Sequence, residues 1–90
     1  MKTTYEVYRP IVSGAERIST GRTQSRHRTP EAADAAIRRA NQRLRRQPGQ
    51  ATSWLDLDVR ARDGQHSRRL TDSETERITQ ARADDLREAR

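Results

Sequence analysis

Hydrophobic and polar residues follow two different periods along this chain. Between Thr29 and Gln47, Ala33, Ile37, Ala40 and Leu44 recur at steps of four, three and four, the spacing of one helix face. Both ends of this helix are marked. Thr29 suits the N-cap and Pro30 the first helical position, where no N–H is needed; Pro48-Gly49 stops the run. A second helix is predicted from Thr71-Asp72-Ser73-Glu74, which has the S/T-x-x-E form of a capping box, to about Glu88. Its acids fall early (Asp72, Glu74, Glu76) and its arginines late (Arg82, Arg87, Arg90), as the macrodipole favours. Its apolar face is thin, with Ile78, Ala81, Leu86 and Ala89, so it should pack loosely, fray or need a partner.

The other period is two. Thr3–Val12 alternates as a strand, with Tyr5, Val7 and Ile11 on one face and Glu6, Tyr8 and Val12 on the other. Pro10 cannot donate to a ladder, which predicts an edge strand or a bulge near its end, and Ser13-Gly14 reads as a turn. Ala51–Arg62 is the strongest strand pattern, with Ser53, Leu55, Leu57, Val59 and Ala61 on one face and Trp54, Asp56, Asp58, Arg60 and Arg62 on the other. Asp63-Gly64 then predicts a type I′ hairpin, in which Ala61 faces His66, Asp58 faces Arg69 and Leu57 faces Leu70.

Glu16–Arg28 carries one large apolar residue, Ile18. Its Thr, Ser and Ile residues allow a returning strand, while Gly21 and the lack of apolar anchors favour a loop. The segment divides into a short strand around Arg17–Thr20 and a basic loop after it. The expected fold is α+β and a single domain over residues 1–90: a small antiparallel sheet of three to four strands with two helices on one face, in the order ββαββα. Its expected core is Tyr5, Val7, Ile37, Leu44, Leu55, Leu57, Val59, Leu70 and Ile78.

Composition narrows this picture. Leu, Ile, Val and Phe make up 12 of 90 residues, a thin core that a homodimer could enlarge. With no cysteine there is neither a disulfide framework nor a thiolate metal site. No apolar run has the length of a membrane span, and no secretory hydrophobic region follows Met1, so a cytoplasmic setting is expected.

Charge changes it further. The net charge is +6, but residues 1–50 carry +7 and residues 51–90 carry −1. Arginine supplies 18 of the 19 basic residues. GC-rich coding alone would give that ratio, so the informative feature is clustering. Arg22, Arg26, Arg28, Arg38, Arg39, Arg43, Arg45 and Arg46 share their stretch with only two acids, Glu31 and Asp34. On the helix, Arg39, Arg43 and Arg46 flank the apolar stripe on one side and Arg38 and Arg45 on the other. Such a cluster suits phosphate contact with little sequence preference, or a solvated helix face.

The remaining candidates are fewer. Trp54 and Tyr8 fall on the sheet face opposite the core, where they could stack bases or form an interface. Asp56 and Asp58 beside Trp54 would repel phosphate, which favours the interface. The same two carboxylates with His66 could suggest a metal, but His66 falls on the wrong face. His27 and His66 have no Cys or His at metal spacing, and no P-loop, G-x-S-x-G, G-x-G-x-x-G or HExxH motif occurs.

The expectation is therefore a non-catalytic nucleic-acid-binding protein of bacterial, phage or plasmid type, without cofactor or metal, contacting phosphate through the eight clustered arginines. Its rival is a protein-interaction module (an inhibitor, an adaptor or a regulator of a nucleic-acid machine) whose basic helix meets an acidic partner surface.

Overall fold

The computed structural model describes residues 2–18 and 21–88, except the side chain of Arg17. The sheet expected from the alternation is present. Strands β1 (Thr3–Tyr8), β4 (Thr23–His27), β5 (Asp58–Asp63) and β6 (His66–Arg68) form one sheet in the order β4-β1-β5-β6, with every pairing antiparallel. Helix α1 (Pro30–Arg45) crosses one face, against β1, β4 and β5. Helix α2 (Asp72–Glu88) packs on α1. A separate hairpin of β2 (Ile11–Ser13) and β3 (Glu16–Ile18) is inserted between β1 and β4.

Three strand expectations are corrected. β1 is a central strand, because it ends at Tyr8, before Pro10, and lends both edges to neighbours. The irregularity expected near Pro10 falls in its partner: Val7 pairs with Ser25 and Tyr8 with Thr23, leaving Gln24 as a bulge. Arg22–Arg28, expected as a loop, contains β4. Its residues are polar, so no hydrophobic alternation marks it; the β1 ladder and a buried carboxylate hold it instead. The strand predicted from Ala51 begins only at Asp58. Asn41, 2% exposed, accepts the Leu55 N–H at 2.6 Å and donates to Ile37 O at 3.2 Å, which ties the irregular segment 53–57 to α1. Ser19 and Thr20, part of the predicted second strand, lie outside the described residues.

The second hairpin turns one residue later than expected. Asp63 pairs with His66, Arg62 with Ser67 and Ala61 with Arg68. Thr3 and Arg68 both bond the Asp63 carboxylate, holding Asp63 in the ladder. Gly64, at φ +63°, takes the first corner and Gln65 the second, the sign pattern of a type II′ turn. Because β6 ends at Arg68, the predicted Asp58–Arg69 and Leu57–Leu70 pairs are not ladder pairs. Leu57 and Leu70 still pack against the core. That core is Tyr5, Val7, Val59 and Ala61 from the sheet with Ala33 and Ile37 from α1.

Ionic contacts complete the thin core. Glu6 is 0% exposed on the sheet face away from α1. Arg26 and Arg60 are its direct neighbours in the ladder on either side. Arg26 Nε donates to Oε2 at 2.9 Å, while Arg60 and Arg62 Nε donate to Oε1 at 3.3 and 3.0 Å. The bulge at Gln24 turns Thr23 to the same face, where its hydroxyl donates to Glu6 and accepts from Arg60. Burial alone would raise the Glu6 pKa; the arginines outweigh it and hold it below the usual value.

The predicted capping box joins α2 to the sheet. Glu74 N–H donates to Thr71 Oγ1, and Thr71 N–H donates back to Glu74 Oε1. The same carboxylate accepts from Arg68 and from the Tyr5 hydroxyl across the core. Arg68 chiefly, against the opposing effect of burial, draws the Glu74 pKa down to about 2. Further along, Arg77 bonds Glu31, Arg82 bonds Asp34, and Arg38 bridges Asp34 and Asp85.

Two outcomes follow. Glu6→Ala leaves three guanidinium groups around an empty centre and should lose about 3 kcal/mol in urea unfolding. Replacing Arg60 by Met in the same chain should recover part of that loss. Glu74 has a lowered folded pKa, so its stabilisation is complete above the ordinary value of 4.5 and is lost as the pH falls toward about 2. Glu74→Gln should therefore lower the thermal midpoint at neutral pH, and its difference from the parent should shrink over that acid window.

Candidate functional site

The eight arginines of the basic cluster separate into two groups. Arg26 is held by Glu6, and Arg38 by Asp34 and Asp85. Arg22, Arg28, Arg39, Arg43, Arg45 and Arg46 are exposed and have no ion pair among the described residues.

The geometry of α1 explains the division. Its flank with Glu31, Asp34 and Arg38 faces α2, and ion pairs stitch the two helices together. The opposite flank, with Arg39 and Arg43, faces the edge strand β4 across a groove of about 380 Å³. Arg9, next to the end of β1, joins these two arginines in lining it. Gln24, Ser25 and His27 contribute from β4. Val7, Ala36, Ala40, Leu55 and Leu57 supply apolar lining. Among the described residues no carboxylate lines the groove. Small side chains on α1 at positions 36 and 40 leave the space open.

Within it, Ser25 Oγ lies 2.8 Å from His27 Nε2. Burial first, and then the positive charge of Arg39, lowers the His27 pKa. His27 is therefore a weaker base than an ordinary imidazole, a polar group set among cations.

A second concavity, about 580 Å³, opens between α2, α1 and β5. Ile37, Leu57, Leu70 and Ile78 line it together with Asp34, Asp58, Arg60, Arg69 and Arg82. Its charges are mixed, so it does not favour one sign of ligand. Trp54 also lines it, is 61% exposed and lies under the Arg45 guanidinium at 4.8 Å from the ring centre. Tyr8 differs from Trp54. It is 6% exposed with Arg60 stacked on it at 4.7 Å, and has little surface to offer a partner. Among the described residues no group of three or more His, Asp and Glu could hold a metal ion, and no helix is long and apolar enough to cross a membrane.

Arg9, Gln24 and Ser25 were not legible as site residues. The strand pairing brings them to the groove, and the only local sign was Pro10, which ends β1 beside Arg9. Comparison with known protein families, curated proteins and solved structures finds no match to this chain.

The histidine gives a direct check on the groove. In an NMR titration His27 should have a midpoint below 6.5, and Arg39→Ala should move it partway back without reaching the ordinary value, because burial remains.

Proposed function

We propose that this chain is a non-catalytic nucleic-acid-binding protein that holds phosphates through Arg39 and Arg43 of α1, with Arg9 beside them and Arg22, Arg28, Arg45 and Arg46 around them. One observation carries this reading: the segregation of charge across α1. Carboxylates neutralise the flank that meets α2, while the flank that meets β4 keeps its guanidinium groups and has no acid in its groove. Uncompensated arginines along a concave surface suit a polyanion. Phosphate contact of this kind gives affinity with little base preference. Arg26 and Arg38 contribute indirectly, since their charges are committed to carboxylates. The setting in which we place it is cytoplasmic and of bacterial, phage or plasmid type.

A second reading is a protein-interaction module, a regulator whose basic surface meets an acidic partner. The exposure of Trp54, and of Ile11 and Val12 on the β2–β3 hairpin at 52% and 60%, favours it. The same exposed groups would serve a homodimer.

Binding to a labelled duplex and a labelled single strand at two salt concentrations, with the mass in solution recorded alongside, tests the proposal. The expected result is affinity that falls steeply with salt, with a slope of about 0.9 per neutralised phosphate on duplex DNA. The triple change Arg39→Glu, Arg43→Glu and Arg46→Glu should weaken binding at least about tenfold at low salt. Unchanged binding by that variant would overturn the reading. A stoichiometric complex with a protein that survives nuclease treatment would favour the second one.

A further inference from the structure

The groove between β4 and α1 is more than a charged surface. We infer that it seats one unstacked nucleotide of a single strand, with the base against Ala36, Ala40 and Leu55 and the phosphate on Arg9, Arg39 and Arg43. This rests on the nucleic-acid reading above and specifies its ligand.

Three observations carry it. The volume, about 380 Å³, suits a single small ligand unit. The lining is divided: aliphatic groups from α1 and the segment before β5, and guanidinium groups with no carboxylate among them. A duplex keeps its bases stacked and paired, so it can bring only phosphates to this groove and would leave the aliphatic lining wet. An unstacked nucleotide covers both parts. Polar groups are also placed to meet a base edge. Among the described residues Gln24 makes one side-chain bond, a long 3.4 Å contact to Arg22 O, and the Ser25 hydroxyl and the His27 ring stand beside it. Among the described residues no Phe, Tyr or Trp lines the groove, so the base is held mainly by loss of water.

The test compares a short labelled single strand with a duplex of the same length at one salt concentration. Charge density alone favours the duplex; a seated nucleotide favours the single strand. Ala40→Leu keeps every charge, suits a helix and fills the groove. It should weaken single-strand binding about fourfold, the order expected for a methylene-sized loss of apolar contact, and leave duplex binding unchanged. Uridine monophosphate should displace the single strand at lower concentration than inorganic phosphate does. Duplex binding as tight as single-strand binding, or an Ala40→Leu variant that binds the single strand like the parent, would overturn the inference. The two readings fail separately. If Arg39→Glu with Arg43→Glu weakens both ligands while Ala40→Leu weakens neither, phosphate contact stands and the seated nucleotide falls. If the double arginine variant weakens neither, both fall.

Discussion

Glu6 stands where three strands meet. Its ladder neighbours on both sides are arginines, and a third arginine reaches it diagonally from β5. A carboxylate removed from water costs several kcal/mol unless its lone pairs are taken up, and here four donors take them. The excess positive charge is tolerable because Arg26 and Arg62 remain partly in solvent, with side chains 67% and 33% exposed. The bulge at Gln24 belongs to the same arrangement, since without it Thr23 would face α1 instead of Glu6. In a chain with so few large apolar residues, this cluster fixes sheet register where side-chain packing is weak.

Ion pairing also divides the molecule. Asp34, Glu31 and Asp85 bind arginines between α1 and α2, so the helix pair depends on charge more than on apolar contact; Leu86 is 71% exposed. Glu6, Asp63 and Glu74 bind arginines within or beside the sheet. Among the described residues, Arg39 and Arg43 on the far flank of α1 line the β4 groove with Arg9 and have no such partner, while Arg45 lies over Trp54 and Arg69 lines the other concavity. The net positive charge of the chain thus becomes a local property, produced by where the carboxylates are committed.

Both helices and their caps were legible because each is specified by adjacent residues: Thr29-Pro30 for one, Thr71 to Glu74 for the other. The α+β class and a small antiparallel sheet of three to four strands followed from them and from the alternation. What was not legible depended on partners far away in sequence. β4 has no apolar signature and exists through its ladder to β1 and the Arg26–Glu6 bond. Asn41 lies on a helix as an ordinary polar residue, yet it takes the Leu55 amide and delays β5. The hairpin corner moved because Thr3 and Arg68 hold Asp63, a contact that no local turn rule contains. Of the basic cluster, sequence spacing put Arg38 on a different side of α1 from Arg39 and Arg43, and in the structure Arg38 meets the carboxylates beside α2 while Arg39 and Arg43 line the β4 groove. It could not say which shoulder α2 would neutralise.

The place of β1 in the sheet sets an order of events. Its two neighbours come from opposite sides of α1: β4 arrives soon after it, and β5 about fifty residues later. Loop closure over that length must precede the last contacts to Glu6. While the chain is being made, β1, β4 and α1 can assemble, but Glu6 then has only Arg26 and the Thr23 hydroxyl, with one edge of β1 open. Only when Arg60 and Arg62 emerge is that edge closed. The interval is a window in which an exposed strand edge and a half-compensated carboxylate coexist, and the sheet becomes a single cooperative unit at its end.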